Sequence, residues 1–273
     1  MSTEVRKAVI LARGLGTRMR RQDPRAAVDA RQARIAETGM KAMIPIGRPF
    51  MDYLLSALAD SGYREACLVI GPEHQAVRDY YDREVKPTRI RVDYAIQQRP
   101  LGTADAVAAA EAFAGNERFL VINSDNFYPP EALEELRKLE SAGLAGFERT
   151  SLVRQGNLAL ERVMQFPILR IDAKGELVDL LEGPEREASA ANSSDTFVSM
   201  NCWLFSPKIF AACRAIQPAA SGELEIPTAV RYAIQVLQER FRVIPVRKGV
   251  LDLSTRGDIP TVAGLLAAQE ARL

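Results

Sequence analysis

The strongest constraint on the fold is an alternation. Through the first half of the chain, short apolar runs take turns with segments whose apolar residues recur at helical spacing. Lys7–Ala12 reads as a strand, and Met51–Ser61, with Met51, Leu54, Leu55 and Leu58 on one face, reads as a helix that stops at Gly62. Ala66–Ile70 is a strand and Glu73–Arg83 a helix. Arg89–Ile96 alternates Ile90, Val92, Tyr94 and Ile96, the pattern of a half-buried strand near a sheet edge. Thr103–Ala114 is an alanine-rich helix, Phe119–Asn123 a buried strand, and Pro129–Ala142 a helix with proline near its start. Strand–helix alternation of this kind specifies an α/β fold, a mostly parallel Rossmann-like sheet with helices on both faces.

The second half is less regular. "FPILRIDAKGELVDLLEG" reads as two strands joined by the turn Ala173-Lys174-Gly175, and Pro184–Asp195 as an exposed flexible loop. "TFVSMNCWLF" is a strand, Pro207–Ala215 and Ile226–Arg240 are helices, Phe241–Val246 is a strand, and a helix runs from Asp258 to Ala271. There is no internal repeat and no linker between independent domains. The expectation is a single domain over 1–273 whose C-terminal strands lie over the same cleft as the first half.

Ligands on such sheets bind at the carboxyl ends of the strands. Two candidate stretches fall there, Gly14–Arg18 after the first strand and Asn123–Asp125 after the fourth. In "VILARGLGTRMRR", glycines let backbone N–H groups approach an anion, and Thr17 and Arg18 add donors. The alternative for this stretch alone is an ordinary strand-to-helix turn with solvated arginines. A dinucleotide fingerprint fails on spacing, because its third glycine would stand at Met19. Net charge of +1 gives no electrostatic reason for a nucleic-acid or membrane partner. Cys67, Cys202 and Cys213 are odd in number and far apart, which suits buried thiols in a reducing cytoplasm. With no signal-like segment and no apolar run of bilayer length, the expectation is a cytoplasmic protein. His74 follows Gly71-Pro72-Glu73 and reads as a solvated surface histidine.

"LARGLGTRMR…GMKAMIPIGRPFMDYLLSAL" resembles the signature of sugar-1-phosphate nucleotidyltransferases. "QQRPLGTADAV", "VINSDNFY", "LLEGPE", "VSMNCWLF", "GELEIPTAV" and "VLDLSTRGD" follow in that family's order, over nearly the whole chain. The resemblance implies an enzyme that joins a nucleoside triphosphate to a sugar-1-phosphate with Mg2+, releasing pyrophosphate. It assigns 1–143 to the nucleotide and 144–273 to the sugar phosphate. It makes Arg18 and Lys41 the catalytic cations. Leu11, Ala12, Gly14, Gly16, Thr17, Gln97, Pro100, Gly102 and Thr103 would bind nucleotide, with Gln97 reading the base. Glu182 and Asn201 would bind the sugar, and Asp125 and Asp252 the metal. The oligomeric state, a homo-oligomer included, is left open.

Three departures bear on that transfer. Arg13 stands where the family has Gly or Ala, so its side chain must turn outward or meet phosphate itself. The gap between Arg18 and Lys41 is longer than usual and carries Arg20, Arg21, Arg25, Arg31 and Arg34, which suggests a helical insert near the triphosphate. Gly183 replaces the lysine that grips the sugar phosphate, leaving Arg186 and Arg170 as the nearest cations in sequence. Two alternatives therefore stay open: a non-sugar phosphate acceptor, or a non-catalytic protein that binds nucleotide or sugar phosphate.

Overall fold

A computed structural model describes residues 4–190 and 196–273, with side chains for all of these but 187–190. Four parallel strands make the first half of the sheet. β1 (Lys7–Leu11) lies between β2 (Glu65–Ile70) and β4 (Phe119–Asn123), and β3 (Arg91–Ile96) pairs outside β2. The winding therefore reverses between β1 and β4, and a crevice opens at their carboxyl ends. Strands covered on both faces read as unbroken apolar runs, and Ala8, Val9 and Ile10 are fully buried. Ala8 and Ile10 pack into one core with the helix Phe50–Asp60. Val9 and Leu11 pack into a second core with the helix Thr103–Ala109. β3 is the edge strand that its alternation predicts.

The second half extends the same sheet. β5 (Asn126–Phe127) leaves it at once, and β6 (Ala142–Glu148) returns. β7 (Ile168–Ile171) and β8 (Leu177–Leu181) form the expected hairpin. β9 (Phe197–Phe205) inserts antiparallel between β4 and β6, while β10 (Phe241–Val246) runs parallel outside β6. β11 (Leu251–Asp252) pairs with β5 in a ladder of its own. The mostly parallel core, flanked by helices and extended by C-terminal strands, is the architecture expected.

Several boundaries differ from the sequence reading. The helix at Thr103 breaks at Ala110, and the helix at Pro130 ends at Lys138 because Ala142 already opens β6. The two C-terminal helices stop at Gln235 and Leu266. The stretch expected as a loop from Pro184 is a helix over Gly183–Ala190, and its remainder to Asp195 lies outside the described residues. The three cysteines are free and buried, as expected.

Candidate active site

The loop after β1 is set by what packs beneath it. Gly16 has φ +61, and a Cβ there would lie 2.3 Å from the Gly39 carbonyl oxygen, so only glycine lets the two segments meet. Gly39 is the C-cap of the helix Ala30–Thr38, the helical insert the sequence suggests. That helix starts with a capping box in which Asp29 and Gln32 satisfy each other's backbone N–H groups. Gln32 also donates to the Pro45 carbonyl at 2.8 Å, and Arg20 donates to the Thr38 carbonyl at 2.7 Å. The insert is thus docked under the loop. Its end, Gly39 and Met40, lines the crevice, but none of Arg20, Arg21, Arg25, Arg31 and Arg34 does.

Past the insert, Lys41 opens a short 3-10 turn and reaches Asp125, Nζ to Oδ2 2.7 Å. Asp125 follows β4, and Asp252 is drawn beside it because Asp252 pairs with Asn126 across the β5–β11 ladder. The Leu253 N–H donates to the Asp125 carbonyl at 2.8 Å. Asn157 brackets Asp252 from the other side: the Asp252 N–H donates to Asn157 Oδ1 at 2.7 Å, and Asn157 Nδ2 donates to the Asp252 carbonyl at 2.8 Å. The Asp252 side chain accepts from Asn126 Nδ2 at 2.9 Å. Its other oxygen, Oδ1, lies 2.8 Å from Arg162 Nη2 without a hydrogen bond, and among the described residues it is a buried acceptor without a donor. Burial and the nearby Asp125 charge push the Asp252 carboxyl up to about 6, against the pull of Arg162.

Two clefts meet at this pair. The first, of about 230 Å³, is lined by Leu11, Ala12, Gly14, Lys41, Gln97, Pro100, Gly102, Thr103 and Asp125 among others. Gln97 is 4% exposed, and its Nε2 donates to the Gly102 carbonyl at 3.0 Å and to Asp105 Oδ2 at 2.8 Å. Both partners are acceptors only, so the amide orientation is fixed and Oε1 has no donor among the described residues. Gly102, at φ +116, lies so close to the segment before Ile226 that a Cβ would be 2.4 Å from the Leu224 carbonyl oxygen. The second cleft, of about 360 Å³, is lined by Arg18, Arg162, Glu182, Asn201 and Asp252, and shares Thr103, Asn123, Asp125 and Glu223 with the first. A bulge in β9 opposite β6, with Asn201 at φ +54, presents Asn201 to this cleft. Asn201 Oδ1 accepts from Trp203 Nε1 at 3.2 Å, and Glu182 accepts from Arg231 at 2.9 Å.

The comparisons with known proteins decide the family. A family model described as nucleotidyl transferase matches residues 7–256. The chain belongs to the nucleotidyl transferase family. It is 25% identical to the low-salt glycan biosynthesis nucleotidyltransferase Agl11 of Haloferax volcanii, over 84% of this chain and 57% of that protein. It is 28% identical to a glucose-1-phosphate thymidylyltransferase of Streptomyces griseus, again over 84% and 57%. The chain spans about half the length of the first curated relatives it matches. A crystal structure of UDP-glucose pyrophosphorylase complexed with UDP-glucose shares the fold, with TM-score 0.72 and 21% identity over 97% of this chain and 100% of that one.

Within this nucleotidyl transferase, most residues the motifs single out line one cleft or the other. Gly16 and Thr17 line neither: Gly16 is buried against Gly39 and Thr17 is exposed. Arg18 stands in the second cleft. Arg13 does not turn outward: it lines the first cleft, and its Nη1 is a buried donor with no partner among the described residues. Its side chain is 9% exposed and forks onto Glu73, with Nη2 3.2 Å from both carboxylate oxygens. His74 is not a solvated histidine either. It lines the first cleft, and its Nδ1 accepts the Gly71 N–H at 3.3 Å. Arg170 pairs with Asp179 at 3.3 Å and Arg186 donates to the Gln165 carbonyl at 2.8 Å, and neither lines a cleft. The sequence reading missed Arg162 and Asn157. Both lie outside the recognised motifs, and their partners are about 90 positions away.

Proposed function

We propose that this chain is a sugar-1-phosphate nucleotidyltransferase, joining a nucleoside triphosphate and a sugar-1-phosphate into a nucleoside-diphosphate sugar and pyrophosphate. The observation that carries the reading is the meeting of two clefts at one paired-charge centre, Lys41–Asp125 beside Arg162–Asp252. An oxygen of the acceptor phosphate attacks the α-phosphorus as the bond to the leaving pyrophosphate breaks. Phosphate monoesters lose their second proton near a pKa of about 6, so the nucleophile is a dianion at neutral pH and no general base is needed. The chain's task is to hold two polyanions in line and to balance charge on the leaving group. Lys41 and Arg18 supply that charge from opposite sides of the junction.

The donor set fits Mg2+. Asp125 and Asp252 offer hard oxygen donors, Asp252 Oδ1 is a buried acceptor without a donor among the described residues, and this ion is commonly held by one or two carboxylates with substrate phosphates. Bound there, it would neutralise phosphate oxygens and the charge of the departing pyrophosphate.

For the base, Gln97 offers an acceptor, which suits the ring N–H of uracil or thymine. The thymidylyltransferase named among the relatives supports the same choice. The test incubates the protein with Mg2+, each of UTP, dTTP, GTP, ATP and CTP, and a panel of sugar and non-sugar phosphate monoesters, and measures pyrophosphate. UTP or dTTP with a sugar-1-phosphate is the pair expected to release it. No release from any pair would leave a binding protein, not an enzyme.

A further inference from the structure

We infer that Arg162 is the residue that grips the phosphate of the acceptor, in the place where this chain carries no lysine. The inference rests on the transferase reading for the identity of the acceptor, but the grip itself is a binding property that can be measured without turnover. Among the described residues, the second cleft is lined by Asp125, Asp252, Glu182, Glu223 and Glu225, and by two cations, Arg18 and Arg162. A phosphate dianion entering so acidic a cleft needs a cation beside it. Position 183 supplies none: Gly183 has nothing within 4 Å of where a Cβ would stand. Arg18 stands in the same cleft but exposed, on the four-residue helix Thr17–Arg20, whereas Arg162 is held directly beside Asp252.

Arg162 is held in a way that suits the task. It lies on the four-residue helix Leu160–Val163, ahead of β7, with its side chain 22% exposed. Only Nη2 is engaged: it donates to the Ser254 hydroxyl and lies 2.8 Å from Asp252 Oδ1 as an ion pair without a hydrogen bond. Nη1 has only a loose approach to Asp258, at 3.8 Å. A guanidinium held through Nη2 is pre-organised, and its remaining N–H donors can meet an incoming phosphate at lower entropic cost than a mobile lysine. The same lining holds Glu182 and Asn201. An acceptor whose hydroxyls bond those two residues would therefore carry its phosphate toward the Asp125–Asp252 junction, where Arg162 stands.

The test compares wild type with Arg162→Gln and Arg162→Lys, and with Gly183→Lys placed in the Arg162→Gln background. Calorimetry measures binding of inorganic phosphate and α-D-glucose 1-phosphate, with glucose as the uncharged control, in the absence of nucleotide. Steady-state kinetics then separate the acceptor KM, the NTP KM and kcat. Arg162→Gln is expected to weaken phosphate and glucose 1-phosphate binding by about tenfold or more, the usual scale of a hydrogen bond to a charged group. Glucose binding and the NTP KM should stay as they are. Arg162→Lys keeps the charge and should recover part of the loss, and Gly183→Lys another part. Unchanged phosphate binding with a lower kcat would overturn the inference and make Arg162 a positioning residue for Asp252. Wild-type protein that binds neither phosphate ligand would overturn it as well. Phosphate binding that depends on Arg162, without pyrophosphate release from any substrate pair, would uphold the grip and sink the transferase reading.

Discussion

The chain has one histidine, and it sits where its titration matters. His74 Nδ1 must be unprotonated to accept the Gly71 N–H, and burial lowers its pKa, only partly offset by Glu73. The unfolded chain, with an ordinary pKa near 6.5, therefore binds the proton more readily than the folded one. The stability contributed by neutral His74 is complete above that pH and is lost as pH falls through the folded value. His74→Asn keeps an acceptor near Gly71 but cannot titrate. Urea unfolding of both proteins at pH 7.5 and 5.5 should show wild type losing more stability between the two. Equal losses would mean the histidine is free to protonate in the fold. Neither this role nor the burial of Arg13 beneath Glu73 was legible in the sequence. Each is decided by how the end of β2 folds back over the crevice, and a lone histidine after Gly-Pro-Glu carries no such signal. Gln97 and Asp125 were legible because motif and strand end coincide, and Lys41 was legible from its motif alone.

At the scale of elements, the glycine loop depends on the insert packed under it. Gly16→Ala would put a Cβ 2.3 Å from the Gly39 carbonyl oxygen at φ +61. The left-handed backbone alone costs an L-residue about 1–2 kcal/mol, and one segment must shift as well. The expected result is a melting point a few degrees lower and an NTP KM raised by roughly tenfold, with the acceptor KM unchanged. A variant with lower stability and normal nucleotide affinity would show that the loop geometry does not matter to binding. The elements themselves were readable in unequal measure. β1, β2 and β4 stand out because strands covered on both faces are continuous apolar runs. β6, "AGLAGFE", does not, although it is equally buried. It needs glycine for close packing: a Cβ on Gly146 would meet Leu169 at 2.8 Å and Val243 at 2.9 Å. Glycine and alanine carry little strand propensity, so tertiary crowding here overrides the local signal.

Across the whole molecule, the site exists because residues from both halves of the chain are tied at one junction. Asp125 arrives just past β4, the first half's switch-point strand, while Asp252 arrives almost at the C-terminal helix. The link is thin: the two-residue β5–β11 ladder, the Leu253 bond to Asp125, and Asn157. Asn157 is the most testable part, since it touches neither cleft and contacts Asp252 only through its backbone. Asn157→Ala would strip a donor and an acceptor at once. Leaving a buried polar group unsatisfied costs about 1–3 kcal/mol, which for a chain of this size lowers the melting point by several degrees. If Asn157 also holds Asp252 at the junction, pyrophosphate release should fall by more than tenfold at a temperature where the variant is fully folded, because misplaced charge acts on the transition state more than on binding. The NTP KM should change little. A variant that melts earlier yet turns over normally when folded would make Asn157 a structural tie alone, and would show that β11, Asn126 and Arg162 suffice to keep Asp252 in place.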